Sequence, residues 1–234
     1  MENNDRNTEN NEEKELTPQE KKAELIKDVI DIAESTIITV FFIVMLFTYI
    51  LHPVNIVGQS MVPTLNKNYN AAEGTSTSDK IFMNTVYFKL NYGDIIIIDN
   101  NEPHLLDDQG NAYVPKGVSA LNECIIKRVI ATEGQTVELN DSQVIVDGKV
   151  LDEPYINAGS TTYDLGAFEG QYPITVPEGY CFVMGDNRNH STDSRAVNVG
   201  LIADDQIYGK AIIRYSPLKD FDILTDSWKE SAND

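Results

Sequence analysis

Three short segments carry side chains whose types and spacing suit chemistry. The first is Gly58-Gln59-Ser60-Met61-Val62-Pro63-Thr64-Leu65. Gly58 lets the backbone approach a ligand closely, and Pro63 fixes the chain just after the Ser60 hydroxyl. Taken alone, a serine near Gly and Pro is a turn signal. The second is Lys127, which interrupts the apolar run Cys124-Ile125-Ile126-Lys127-Arg128-Val129-Ile130. Either Lys127 alternates outward into water, or it is buried. At its ordinary pKa of ~10.4 a lysine is protonated at neutral pH and is no base. Burial lowers that value by up to ~3–5 units, and a neutral amine beside a serine hydroxyl is a competent general base. The third runs from Met184 to Arg195 and crowds Asp186, Arg188, His190, Ser191, Asp193, Ser194 and Arg195 together. Asp193 and Arg195 can pair, and Ser191 can exchange a hydrogen bond with an amine. Such a network orients catalytic groups rather than filling a core.

Other chemistries fit less well. The histidines are His52, His104 and His190, and His190 is too close in sequence to Asp193 to form a separate triad arm. No His, Cys, Asp or Glu cluster has metal-ligand spacing, so no metal and no cofactor is expected. Cys124 and Cys181 read as two buried free thiols, with a disulfide between them as the alternative. The net charge of −19 disfavours a nucleic-acid partner.

The elements around these segments divide the chain. Met1 to about Glu20 is Asn/Glu-rich and reads as disordered. Ala23, Ile26, Ile30 and Ala33 recur at helical spacing, a helical lead-in that completes residues 1–34. The uncharged run from Ser35 to Leu51 is somewhat shorter than the ~20 residues a bilayer core needs. Pro53 is expected to stop that helix, which sets the anchor at 35–52. Lys14, Lys21, Lys22 and Lys27 precede it, and no Lys or Arg follows until Lys67. That asymmetry places the N-terminus in the cytoplasm and the rest outside. The run starts late, follows acidic residues and lacks a small-x-small site, which favours an uncleaved anchor over a signal peptide. Ser60 follows Leu51 by nine residues, a reach of at most ~30 Å, so it works close to the lipid bilayer.

Residues 53–220 read as a mostly β domain. Asp94–Ile98 suits a strand buried on both faces. Gln143–Leu151 reads as a hairpin turning at Asp147-Gly148. Thr136–Leu139 is expected to pair beside that hairpin. Tyr180–Met184 and Gln206–Tyr215 are further strands. Residues 136–180 form a smaller inserted subdomain. Asn68–Lys80, Asn100–Lys116 and Asn157–Tyr172 read as loops, and 221–234 as a frayed end.

Together these segments resemble the type I signal peptidases, membrane-bound Ser/Lys endopeptidases. The resemblance rests on Gly58–Leu65, Tyr92-Gly93-Asp94-Ile95, Ile126-Lys127-Arg128-Val129, and Met184-Gly185-Asp186-Asn187-Arg188 with Ser191, Asp193, Ser194 and Arg195. It implies an extracytoplasmic β domain behind a single transmembrane helix, with Ser60 as nucleophile and Lys127 as general base. Ser191 would hold the lysine amine, and Asp193 and Arg195 would brace that segment. Met61, Leu65 and Ile126 would line a pocket for a small side chain, giving cleavage after Ala-x-Ala. Asp186 and Arg188 would be structural. The substrates would be secreted preproteins with signal peptides, met close to the export translocon. Gly58 stands where some members place a serine oxyanion donor, so the oxyanion hole leans on the backbone N–H of Ser60. Val129–Gln135 and Asn189-His190 also depart from the commoner pattern. A self-cleaving repressor-type Ser/Lys protease would need a DNA-reading module. A non-catalytic membrane-anchored β module would not need Ser60 and Lys127.

Overall fold

A computed structural model describes residues 17–67, 78–86, 89–140 and 142–224. Two compact units divide it, residues 1–46 and 47–234. One α-helix, α1, runs over Pro18–Tyr49. It starts earlier than the expected disordered tail allows. Thr17 and Glu20 form a reciprocal cap: Thr17 N–H donates to Glu20 Oε2 at 2.8 Å and Glu20 N–H to Thr17 Oγ1 at 3.4 Å. Thr-Pro-Gln-Glu is a capping-box sequence, with proline at the first helical position where its missing N–H costs nothing. The helix is long and apolar enough to cross a membrane, and none of its residues is buried by protein.

Fourteen strands follow among the described residues. They are β1 (Leu51–Asn55), β2 (Lys80–Asn84), β3 (Ile95–Asn100), β4 (Leu105–Leu106), β5 (Ala112–Tyr113), β6 (Glu123–Thr132) and β7 (Thr136–Asn140). The rest are β8 (Gln143–Val146), β9 (Lys149–Val150), β10 (Ile174–Thr175), β11 (Tyr180–Met184), β12 (Ile202–Ala203), β13 (Ile207–Ser216) and β14 (Asp222–Ile223). The main sheet has the order β1-β2-β13-β3-β6-β11-β12, with β14 added on β13. A smaller sheet, β10-β7-β8-β9, falls within the expected insertion. Asp147 (φ 52°) and Gly148 (φ 74°) make its tight turn.

The mostly-β class expected from sequence is the observed one, and the boundaries differ locally. The helix stops at Tyr49, so Leu51, His52 and Pro53 belong to a strand rather than to the anchor. β1 is an edge strand, where a proline need not donate to a neighbour. Residues 221–224 are not frayed: β14 pairs with β13, and Leu224 is buried. The expected loop at 100–116 holds the short β4–β5 hairpin. Most of the loop expected at Asn68–Lys80 lies outside the described residues.

The core explains the central position of β3. Ile95 and Ile97 enter one hydrophobic cluster with Ile56, Met61, Leu65, Ile81 and Ile126. Ile96 and Ile98 enter another with Ile125, Val129, Cys181 and Val183. Side chains alternate along a strand, so an unbroken isoleucine run feeds two cores at once. Each such side chain contributes about 1.5–3 kcal/mol on full burial. β6 lies beside β3, with Lys127 opposite Ile96 and Ile126 opposite Ile97. Lys127 therefore sits in phase with Ile125 and Val129, the strand residues committed to the second core.

Candidate active site

Ser60 lies in a turn that other segments hold in place. Gly58 takes φ 87°, a backbone conformation that side-chain-bearing residues rarely adopt. Buried Asn66 donates from Nδ2 to the carbonyls of Ile56 and Gly58, each at 2.9 Å. Arg214 donates to the Thr64 carbonyl at 2.6 Å and pairs with Asp79, whose backbone N–H in turn donates to Asn66 Oδ1. From the other side, Asn187 N–H donates to the Ser60 carbonyl at 3.0 Å. The Ser60 N–H has no protein partner among the described residues.

Lys127 is 3% exposed, and its Nζ lies 3.2 Å from Ser60 Oγ and 2.9 Å from the Ile126 carbonyl. At the first distance an ammonium donates to the hydroxyl, and a neutral amine accepts from it. Burial pushes the amine down to about 8, against the pull of the Asp193, Glu123 and Asp186 carboxylates. Desolvation is the dominant cause because an ammonium loses its water on entering the core.

The loop after β11 closes the other wall. Arg195 is fully buried and clasps Asp193 through Nε at 2.7 Å and a second nitrogen at 2.9 Å. Burial works against the Asp193 charge. The Arg195 guanidinium, the Gly185 N–H and the nearby Ser191 hydroxyl nonetheless hold its carboxyl below the ordinary range. Ser191 is buried, yet its Oγ makes no well-formed hydrogen bond among the described residues. It was expected to hold the lysine amine. Here the amine turns instead to the Ile126 carbonyl, which its own strand supplies.

Met61 and Leu65 are fully buried in the hydrophobic cluster that includes Ile126, and of the three Ile126 reaches the cleft beside the dyad. That cleft holds about 470 Å³ between the Val54–Ser60 segment and the start of β6. Cys124 opens onto it as an exposed free thiol, a correction to the buried reading; Cys181 is buried and also free. The cause is position: Glu123 and Cys124 form the exposed start of β6, and burial begins at Ile125. His190 stands exposed on the cleft wall and hydrogen-bonds neither Ser60 nor Asp193 through its ring. Among the described residues no group of three His, Cys, Asp or Glu is arranged to hold a metal.

Asp186 and Arg188, expected to be structural, are joined here by supporting residues that the sequence did not single out. Arg128 and Asp186 form a two-point ion pair, Nε to Oδ1 at 2.8 Å and a terminal nitrogen to Oδ2 at 2.6 Å. Thr64 donates to the same carboxylate, which ties the Ser60 turn to the neighbour of Lys127. The Tyr155 ring lies 4.0 Å beneath the Arg128 guanidinium. Glu153 pairs with Arg188, which also donates to Thr162. Gly185 is fixed by space: a Cβ there would overlap Ser191 and lie 2.5 Å from the Ser60 carbonyl. The motif Met184-Gly185-Asp186 marked this loop. Nothing local marked Tyr155 or Glu153, because their partners lie tens of residues away.

Residues 29–216 match the protein family described as "Signal peptidase, peptidase S26". The chain is similar to Signal peptidase IB of Staphylococcus aureus, 32% identical over 220 residues, covering 86% of this chain and 94% of that protein. It is 36% identical over 172 residues to Probable signal peptidase I-1 of Synechocystis, covering 72% and 73%. It is 28% identical over 201 residues to Signal peptidase I S of Bacillus subtilis, covering 83% and 92%. A crystal structure of a signal peptidase I from Enterococcus faecalis is 27% identical and covers 53% of this chain and 97% of that one, with a TM-score of 0.37.

Proposed function

The chain belongs to the signal peptidase family, peptidase S26, and from that membership we propose that it is a membrane-anchored serine endopeptidase that removes signal peptides from exported preproteins through a Ser60/Lys127 dyad. Neutral Lys127 takes the proton of Ser60 as Oγ attacks the scissile carbonyl carbon. The tetrahedral oxyanion is held by the Ser60 N–H. The C–N bond breaks, the lysine proton passes to the departing amine, and the mature protein leaves. Lys127 then activates water, which cleaves the Oγ–acyl ester and frees the signal peptide's carboxylate. The acyl chain lies extended in the cleft, with small side chains selected beside Ile126 over a floor that includes Met61 and Leu65. Asp193 and Arg195 brace the loop that carries Ser191. Helix α1 anchors the protein, with the N-terminus cytoplasmic and the β domain on the far side of the bilayer close to the export translocon.

The observation that carries this reading is the 3.2 Å separation between Ser60 Oγ and an amine that burial holds near 8. The test uses purified full-length protein in detergent micelles and a preprotein with a small-x-small site. Wild type should release the mature protein, and Ser60→Ala should not. Unchanged cleavage by Ser60→Ala would remove the serine from the mechanism.

A further inference from the structure

The cleft extends past the dyad along the start of β6. β11 pairs with β6 only from Arg128 onward, whereas β3 pairs with it from Glu123. One edge of Glu123–Lys127 is thus free to face the cleft across from Val54–Gly58. At the far end of that edge stands Glu123, exposed, and the sole carboxylate lining the cleft among the described residues.

We propose that Glu123 is a specificity-determining residue that favours substrates with a lysine or arginine about four to five residues before the cut. The proposal rests on the peptidase reading above. An extended peptide laid along a strand edge advances in step with it, at ~3.3 Å per residue. Glu123 is four residues from Lys127, so the two stand ~13 Å apart along the strand. A substrate residue beside Glu123 is then about four residues from the scissile carbonyl. On the peptidase reading the signal peptide is the part the enzyme recognises, so the walled length of the cleft is assigned to the segment that precedes the cut.

The dyad reinforces the preference. The amine of Lys127 is faced by the Asp193, Glu123 and Asp186 carboxylates and by the Arg195 guanidinium, with the His190 imidazole on the same cleft wall. Glu123 draws that amine toward its protonated form. A substrate cation docked on Glu123 cancels the draw and favours the neutral base. Exposed ion pairs are weak, so the effect is roughly two- to fivefold in kcat/KM.

The experiment uses the full chain in detergent micelles and peptides with one small-x-small site. They differ only at the fourth and fifth residues before the cut, carrying Lys, Ala or Glu. The expected order is Lys above Ala above Glu for wild type, convergence of the three in Glu123→Gln, and reversal in Glu123→Lys. Equal rates for the three in wild type, or an unaltered order in Glu123→Gln, would overturn the proposal. A Glu123-dependent gain from lysine placed after the cut instead would overturn the assigned direction. Failure of wild type to cut any peptide would overturn the peptidase reading, and this proposal with it.

Discussion

Lys127 sets a strand position against its own charge. The site calls for an apolar residue, and the amine that occupies it is driven down to about 8 by burial. Between pH ~8 and ~10.4 the unfolded chain keeps a proton that native Lys127 has lost, so this group makes stability rise with pH across that window. Below it the cost is constant and full. Lys127→Met should therefore raise the unfolding free energy measured by urea titration at pH 7, by on the order of 1–3 kcal/mol, while abolishing cleavage. A destabilised Met variant would show that the amine is not desolvated. For activity the sign is the same: kcat/KM should climb with pH through about 8 and then level, as the neutral base becomes populated. A limb near the ordinary lysine value would place the amine in water. Gly185 is the other residue-scale constraint, since any side chain there meets the Ser60 main chain. Gly185→Ala should lower kcat by at least tenfold, a loss of about 1.4 kcal/mol in the transition state, with far-UV circular dichroism unchanged.

At the scale of elements, the site is a junction of a turn, a strand and a loop. Arg128, Asp186 and Thr64 bind those three to one another. Glu153 and Tyr155 then grip two arginines of that framework from a single stretch of chain. Glu153→Ala would leave the Arg188 guanidinium buried without its carboxylate, a change that costs about 3–5 kcal/mol. The expected result is a thermal midpoint lowered by several degrees, with cleavage lost at temperatures where wild type is active. Unchanged melting would mean that Arg188 finds another anion. The strands around this junction were legible because an isoleucine run and an Asp-Gly turn are local signals. The start of α1 was missed: Thr17-Pro18-Gln19-Glu20 carries a capping signal, but the polar composition of the tail led to a disordered reading. Tyr155, Asn66 and Arg214 were not legible, since an isolated tyrosine, asparagine or arginine acquires its role only from a distant partner.

Across the whole molecule, the described residues comprise one apolar helix long enough to cross a membrane and a separate compact β unit, to which the proposed function gives location and chemistry respectively. On the proposed function, anchoring would confine enzyme and substrate to one surface and raise the frequency of productive encounter. A chain beginning at Phe47 should cut a short soluble peptide at a rate comparable with the full chain. It should also lose at least tenfold in rate on a preprotein embedded in vesicles. Equal rates on the vesicle substrate would show that the helix contributes nothing to encounter.

The sequence by itself determined the kinds of chemistry available: an alcohol, an amine and a charged bracing loop, carried on strands behind an apolar helix. Those features are written in residue type and short-range period, which need no partner to be read. Only the tertiary structure decided that the amine is dry and 3.2 Å from the alcohol. It also decided that Cys124 is open, that the amine hydrogen-bonds the Ile126 carbonyl, and that Glu123 stands at the end of the cleft. Desolvation and proximity are properties of what surrounds a group, and the surroundings here come from segments far apart along the chain.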